Sequence, residues 1–193
     1  MEKKNKFIII GFNGSGKMSV AETLRKMNVK VGRIFRSMDT IGNQYSLSTV
    51  VYDVKEINDL FENQAYIFIK ESVNKANRYY EGLSFYEYQN NDVFIMTPDQ
   101  FNTVSRFDEN VIFVWLDNNT IQRRNRHRTE KRKYDFVKQD KIEREFIQDF
   151  TDRIGDNAIL YFNNEEPERV ATIIYSVIKY PDLLDVYLKA FNN

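Results

Sequence analysis

The chain has 193 residues, a length that favours one compact domain with room for an inserted subdomain. Hydrophobic residues make up 42% of it, which excludes wholesale disorder, and its 28 basic residues cancel its 28 acidic ones, so an anion-binding site must be local. Cysteine is absent, which excludes disulfides, thiolate metal sites and cysteine nucleophiles.

The N-terminal segment is charged and leads into only four strongly apolar residues, Phe7-Ile8-Ile9-Ile10. This run is too short for a signal-peptide core or a membrane span, and we expect a cytoplasmic protein without a membrane partner. Its β-branched side chains, followed by Gly11, predict the first strand of a parallel sheet, buried on both faces.

A glycine-rich loop follows this strand, with the sequence Gly11-Phe12-Asn13-Gly14-Ser15-Gly16-Lys17. The spacing G-x-x-x-x-G-K lets backbone N–H groups and a helix N-terminus face a polyphosphate, while the lysine adds charge at the β and γ oxygens. Helical spacing predicts a helix over 17–28. The residues predicted to bind ATP here are Asn13, Gly14, Ser15, Gly16, Lys17, Met18 and Ser19.

Met18 stands where a serine or threonine usually follows the loop lysine and joins the magnesium shell. A thioether is a poor ligand for a hard cation. The Mg²⁺ that accompanies ATP would then be held by water, substrate oxygens, carboxylates or the Ser19 hydroxyl. We expect nucleotide binding to survive this change and turnover to be more sensitive to it.

The rest of the chain alternates strands and helices, apart from a mixed segment between 36 and 88. A second strand is predicted over 31–35 and further core strands over 93–96, 111–116 and 158–162. Helices are predicted over 99–106, 120–131, 136–154, 167–179 and 182–190. The mixed segment is predicted to be extended over 44–52, 66–70 and 79–88, with a short helix over 54–62.

This pattern predicts a three-layer α/β P-loop fold with a central parallel sheet of about five strands. We expect a single domain, with its core at 1–35 and 89–193 and an inserted mixed α+β lobe at 36–88. A helical arginine-rich lid is expected at 120–145.

The order of the motifs resembles that of guanylate kinases, a group of P-loop nucleoside monophosphate kinases, over nearly the whole chain. Arg33, Arg36 and Asp39 keep the spacing of the two arginines and the acidic residue that bind the acceptor monophosphate in that family, with Asp for the usual Glu. A planar guanidinium also suits phosphate oxygens on chemical grounds. Taken alone, two arginines three residues apart are more often a solvated surface.

The lobe carries a second resemblance. Glu71 lies nine residues before Tyr80, as in the family segment where a glutamate accepts hydrogen bonds from the guanine edge and a tyrosine binds the phosphate. The family has glycine directly after this tyrosine, where this chain has Glu81. A second phosphate-binding tyrosine would correspond to Tyr45 or Tyr52. The alternative is that these tyrosines form the small core of the lobe.

Two strand ends resemble family sites as well. Thr97-Pro98-Asp99 keeps one of the family's two carboxylates, so Asp99 is a candidate for base recognition or for a water-mediated magnesium contact. Its alternative role is the N-cap of the following helix. Asn163 resembles the family's strand-end asparagine that faces the donor adenine, or else it stabilises the turn into the last helices.

An arginine-dense run at 123–132 resembles the family's lid. Arginines on a closing flap stabilise the charge of the transferring phosphoryl group and exclude water. The resemblance carries this role to Arg128 and Arg144, and Arg124 is a third candidate. The competing interpretation is a nucleic-acid-binding patch, which the balanced net charge disfavours.

The sequence therefore predicts ATP-dependent phosphorylation of a (deoxy)nucleoside monophosphate, with GMP or dGMP as the first choice. A catalytically impaired guanylate-kinase-like binding module is one alternative, favoured by Met18, Thr97 and Glu81. A P-loop kinase that acts on another nucleotide or small acceptor is the other. Monomer and homodimer both stay open.

Overall fold

The structure is a computed structural model that describes residues 4–12, 14–37, 49–74, 77–101, 103–104, 108, 110–117, 145, 150, 153–154, 157–163 and 165–191, with 72–74, 77 and 99 described by their backbone alone. The strands are β1 Lys6–Gly11, β2 Ile34–Ser37, β3 Thr49–Tyr52, β4 Tyr66–Asn74, β5 Asn77–Ser84, β6 Val93–Met96, β7 Val111–Asp117 and β8 Ala158–Asn163. The helices are α1 Lys17–Lys26, α2 Val54–Glu62, α3 Phe85–Asn90, α4 Pro98–Phe101, α5 Pro167–Lys179 and α6 Leu183–Phe191.

The central sheet has the strand order β6-β1-β7-β8, and all of its pairs are parallel. Each β1 residue from Phe7 to Ile10 is fully buried, as expected for a strand covered on both faces. The predicted α/β fold with a central parallel sheet is therefore confirmed. Because all four strands run in the same direction, their carboxyl ends meet along one edge of the sheet.

The run predicted as a second core strand at 31–35 divides between two sheets. Val31 forms one parallel bridge with Val93 at the outer side of β6, and the Gly32 N–H donates to the Val93 carbonyl at 2.9 Å. From Ile34 onward the chain pairs elsewhere, as β2. The central sheet thus has four strands and a single bridge in place of a fifth strand.

Alternate side chains of the central sheet enter two hydrophobic layers. Phe7 and Ile9 pack with α1, α5 and the partly buried apolar residues of α6. Ile8 and Ile10 point the other way, into an aromatic cluster with Phe94, Phe101, Phe113 and Trp115 that also contains Phe68 and Leu83. Those last two residues belong to β4 and β5, so this second layer joins the central sheet to the rest of the fold.

The second sheet is mixed, with the order β3-β2-β5-β4. β2 runs parallel to β3 and antiparallel to β5, and β4 runs antiparallel to β5. Helix α2 has the predicted bounds, and it begins at Val54 because Asp53 and Glu56 form a reciprocal capping box before it. It covers one face of the second sheet, where Phe61 contacts the rings of Tyr66 and Tyr80.

Three predicted boundaries were wrong. The stretch predicted to be extended over 66–70 continues to Asn74 as β4. The extended prediction for 79–88 fails after Ser84, whose hydroxyl accepts the Glu87 N–H at 3.3 Å and starts α3. The helix predicted over 99–106 is only Pro98–Phe101, and Val104 lies outside any helix. The helices predicted over 120–131 and 136–154 lie outside the described residues, apart from helical residues at 145, 150, 153 and 154. No helix of the described ranges is long and apolar enough to cross a membrane.

Candidate functional site

The glycine-rich loop joins the carboxyl end of β1 to the start of α1. Gly14 and Gly16 have φ angles of 78° and 95°, a region that side chains with a Cβ rarely adopt. Gly11 is required for a different reason, because a Cβ there would lie 2.5 Å from the Leu116 carbonyl of β7. The glycines therefore hold a tight loop against the central sheet.

Helix α1 begins directly at this loop. Gly16 is its N-cap, so no side chain caps the helix, and the first turn contains no acidic residue. The first N–H groups of a helix have no partner within the helix and carry its positive dipole end. The end of α1 is thus suited to an anionic group.

Lys17 is buried within the loop, with 8% of its surface exposed. Its Nζ donates to the carbonyls of Gly11 at 2.5 Å and Phe12 at 2.8 Å. A buried ammonium requires such partners because burial without them is costly. The positive charge is therefore held at the centre of the loop, at the place where the sequence predicts phosphate binding.

The next two residues, Met18 and Ser19, lie exposed on the first turn of α1. Within the described residues, no group of three or more His, Asp or Glu side chains could hold a metal ion. The magnesium role predicted for Ser19 and, through water, for Asp99 stays a prediction. Only the backbone of Asp99 is described.

Beside the loop, α1, the ends of β7 and β8, and the start of α5 pack closely together. The residues that meet there are mostly apolar and buried, and the space between them is too small for a ligand. They are Ser15, Val20, Leu116, Phe162, Glu165, Pro167 and Val170. Asn163, the last residue of β8, is exposed and pairs in register with Asp117 of β7.

Asp117 has a partner on the neighbouring strand. The Tyr161 hydroxyl donates to its Oδ2 at 2.8 Å. Burial, with the hydrogen bond to Asp117, raises the pKa of Tyr161 to about 12. This pair lies at the same sheet edge as the loop, and the sequence prediction did not include it.

Arg33 lies just before β2 and is held by Glu87 of α3. Its backbone N–H and its Nη2 donate to the two carboxylate oxygens of Glu87, at 2.9 and 3.1 Å. Glu87 is buried, whereas 49% of the Arg33 side chain is exposed. The guanidinium is thus anchored at one end and open to solvent at the other.

Arg36 of β2 and Lys70 of β4 both lie beside Glu81 of β5, the strand between them in the second sheet. The Nη2 of Arg36 is 3.5 Å from the Glu81 carboxylate, and the Nζ of Lys70 is 3.9 Å from the same group. Gln100 of α4 donates to Glu81 from its Nε2 at 3.2 Å and accepts the Thr97 N–H at 3.0 Å. Thr97 is thus the residue before α4, and Asp99 is not the N-cap that one alternative proposed.

Three other residues predicted for the acceptor, Tyr52, Glu71 and Tyr80, lie on the opposite face of the second sheet. Glu71 pairs with Tyr80, one position away from the pair of Lys70 with Glu81, and successive residues of a strand point to opposite faces. Tyr80 contacts Phe61 of α2, and Glu71 forms an ion pair with Arg78. The register does not place Glu71 and Tyr80 beside Arg36.

Tyr52 also lies on the face covered by α2, where its ring stacks on Phe35 with centroids 4.9 Å apart. Tyr52 and Tyr80 are half-buried and pack their rings against Phe35 and Phe61, and the phosphate-binding role predicted for them stays a prediction. The remaining predicted site residues lie outside the described residues, and nothing is added to their prediction: Asn13, Asp39, Tyr45, Arg124, Arg128 and Arg144.

The sequence prediction missed Lys70, Glu87 and Gln100. Each makes its contact with a residue far away in the chain, so no local spacing marks it. Glu81 was noticed only as a departure from a family pattern, and its place between two cations follows from strand register. A count of the apolar alternation along β4 and β5 is the signal that would have placed these side chains on one face.

Comparison with known proteins gives similarity in structure alone. The chain is similar to a guanylate kinase from Anaplasma phagocytophilum, with a TM-score of 0.57 and 15% identity over 94% of this chain and 88% of that one. A sugar kinase from a Janibacter species has a TM-score of 0.44 with 11% identity, over 94% of this chain and 98% of the other. No protein-family model and no curated protein sequence matches the chain. The chain therefore has a P-loop kinase-like fold.

Proposed function

We propose that this protein is a kinase that transfers the γ-phosphoryl group of ATP to a (deoxy)nucleoside monophosphate, with GMP or dGMP as the first candidate acceptor. The observation that carries the proposal is the buried ammonium of Lys17 inside a loop of positive-φ glycines at the start of α1. Few functions other than polyphosphate binding account for this combination of features.

The donor would bind at the loop. Its β and γ oxygens would replace the carbonyls of Gly11 and Phe12 as partners of the Lys17 ammonium. Asn163, exposed at the end of β8 on the same edge of the sheet, would face the base of the donor on the ground of the resemblance. Bound Mg²⁺ would supply charge neutralisation at the phosphates.

The acceptor would bind with Arg33 and Arg36 directed at its phosphate. Both guanidinium groups are about half exposed, which leaves N–H donors accessible to a ligand. We keep Asp39, Glu71, Tyr45, Tyr52, Tyr80 and Asp99 as proposed acceptor contacts on the ground of the resemblance alone, and Arg124, Arg128 and Arg144 as proposed lid residues on the same ground.

The reaction needs no covalent group from the protein. An oxygen of the acceptor phosphate attacks the γ phosphorus, the bond from that phosphorus to the β,γ-bridging oxygen breaks, and ADP leaves with the electron pair. Lys17 and the arginines would stabilise the charge on the transferring group, and the loop would orient it for in-line attack.

A binding module without catalysis is the second candidate. Two observations favour it: Met18 replaces the usual hydroxyl ligand of magnesium, and both arginines already have a carboxylate partner in Glu87 or Glu81. A kinase that acts on a different nucleotide or small acceptor is the third. The observation that favours this third candidate is that Glu71 and Tyr80, the residues expected to recognise guanine and the phosphate, lie on the face of the second sheet that α2 covers.

The experiment is an ADP-formation assay with ATP, Mg²⁺ and, in turn, GMP, dGMP, dTMP, dUMP and AMP. We expect activity with one monophosphate, and its loss by at least about a hundredfold in Lys17→Ala, with unchanged activity in Lys26→Ala on the exposed face of the same helix. Inactivity with the whole panel would reject the proposed reaction. ATP binding that depends on Lys17, measured by calorimetry, would then leave a kinase for another acceptor, and its absence would favour the binding module.

A further inference from the structure

Three charged side chains lie side by side across the second sheet. Glu81 of β5 is the direct register partner of Arg36 on β2 and of Lys70 on β4, so the row reads cation, carboxylate, cation over three adjacent strands. Directly paired residues of neighbouring antiparallel strands point to the same face. The three groups therefore form one surface, which we name the charged row.

The charged row faces the central sheet and not α2. Phe68 and Leu83 lie two positions from Lys70 and Glu81 on the same strands, so they point to the same face, and both are buried in the aromatic cluster with Ile10 and Phe12. The next row of side chains is about 7 Å further along the strands. The charged row consequently lies just beyond this cluster.

Gln100 shows where the charged row meets the central sheet. Its helix α4 follows β6 directly, and the last residue of β6, Met96, pairs with Ile10 immediately before Gly11 of the loop. The Nε2 of Gln100 reaches Glu81 at 3.2 Å. The row is therefore next to the carboxyl edge of the central sheet, where open α/β folds place their ligands.

The distances within the row are long for paired charges. Arg36 and Lys70 stand 3.5 and 3.9 Å from the carboxylate, whereas charge-assisted hydrogen bonds are about 2.7–2.9 Å. Glu87 differs, because it is buried and accepts three hydrogen bonds of 2.9 to 3.1 Å, from the backbone and side chain of Arg33 and from Asn91. The contacts of Glu81 with the two cations are thus the looser ones.

We infer that Lys70 is a third phosphate-binding cation of the acceptor site, together with Arg36, and that Glu81 is an internal counterion that the acceptor phosphate displaces from both. The inference rests on the proposed function for the class of acceptor. A phosphate dianion has more charge and more acceptor oxygens than one carboxylate, so it binds the same two cations more strongly. A phosphate that displaces Glu81 would contact both cations at once.

The test measures binding without catalysis. Calorimetry with inorganic phosphate and with GMP is done in a Lys17→Ala background, which weakens phosphate binding at the loop equally in all samples. Lys70→Gln should lower the affinity for both ligands about tenfold or more, and Lys70→Arg should restore most of it. Glu81→Gln should raise the affinity about fivefold, because it removes the competing charge and keeps the shape.

Two control variants remove one cation and one carboxylate, as Lys70→Gln and Glu81→Gln do, but at other positions of the second sheet and of α2. Arg78→Gln removes a cation at the edge of the opposite face, and Glu62→Gln removes a carboxylate on exposed α2. Both should leave phosphate affinity within twofold of the background, and thermal melting confirms that each variant is folded.

The inference is overturned if folded Lys70→Gln binds phosphate and GMP as tightly as Arg78→Gln does, if Glu81→Gln weakens binding, or if the background protein binds neither ligand. Failure of the proposed kinase is a different result. It would appear as inactivity in the ADP-formation assay while phosphate affinity still depends on Lys70 and Glu81. In that case the phosphate site stands and the reaction does not.

Discussion

Glu87 binds Arg33 twice, through the backbone N–H at 2.9 Å and through the side-chain Nη2 at 3.1 Å. A carboxylate that takes both groups of one residue fixes the direction of its side chain as well as the path of its backbone. Asn91 donates a third hydrogen bond to the same carboxylate, at 3.0 Å. Helix α3 thereby sets the position of an arginine that lies 54 residues earlier in the chain.

Replacing Glu87 should be costly for stability. Glu87→Ala leaves the part-buried N–H of Arg33 without its acceptor and removes the charged partner of its guanidinium, and we expect a loss of about 2 kcal/mol in the free energy of unfolding, measured in urea. Gln89→Ala on the exposed side of the same helix is the control and should change it by less than about 0.5 kcal/mol. Equal effects of the two substitutions would show that Glu87 has no special role.

Gly16→Ala should damage the loop in two ways. Its φ of 95° strains any residue with a Cβ, at a cost of about 1 kcal/mol in the free energy of unfolding. If the loop moves to relieve this strain, its N–H groups are displaced from the phosphates, and the affinity for ATP is also lowered. Calorimetry and urea unfolding check both effects, with Glu22→Ala on exposed α1 as the control. An unchanged ATP affinity in Gly16→Ala would contradict the phosphate-binding role of the loop.

Met18→Thr should increase the contribution of Mg²⁺. A hydroxyl at this position supplies an oxygen ligand that a thioether cannot. We expect tighter binding of ATP in the presence of Mg²⁺, by about tenfold, and no change in its absence. Met18→Leu keeps the apolar character and should gain nothing. If threonine and leucine behave alike, the metal does not approach this residue.

Tyr161 should make the free energy of unfolding depend on pH in the alkaline range. Burial and the hydrogen bond to Asp117 raise its pKa from 10.0 to about 12 in the folded protein, so the folded state holds this proton more tightly than the unfolded state does. The resulting stability is complete below pH 10 and is lost as the pH rises through about 12.

The measurement is unfolding in urea between pH 9 and 12, together with absorbance titration of tyrosinate. In Tyr161→Phe the absorbance titration should show one tyrosine fewer that ionises near pH 12. The free energy of unfolding of this variant should fall less between pH 9 and 12 than that of the wild type. A titration in which Tyr161→Phe and the wild type have the same late component would refute the assignment.

Local signals in the sequence were sufficient for much of the fold. The capping box at Asp53 and Glu56 and the proline at the start of α5 gave two helices their observed bounds. The glycine spacing also predicted where the loop lies, because glycine is needed wherever the backbone has a positive φ or passes close to a neighbouring strand. These features depend on neighbours within a few residues, which a sequence displays directly.

The acceptor side could not be predicted in the same way. Whether Glu71 or Lys70 faces the central sheet depends on strand register, and a shift of one residue reverses every side chain. The aromatic residues at 85–88 favour a strand by propensity, but the Ser84 cap made them a helix. The division of 31–35 between two sheets was likewise decided by pairing with β5, which lies more than forty residues later.

The hydrogen bonds of Lys17 to the carbonyls of Gly11 and Phe12 have a consequence for selectivity. Because the ammonium already has carbonyl partners, arrival of a polyphosphate is an exchange of ligands and not the filling of an empty position. Side chains exchange such partners in picoseconds to nanoseconds, so the exchange lowers the net affinity and not the association rate constant. A single phosphate replaces these bonds at little gain, whereas a chain of phosphates gains contacts along the whole loop, so the loop should select ligands by the number of their phosphates.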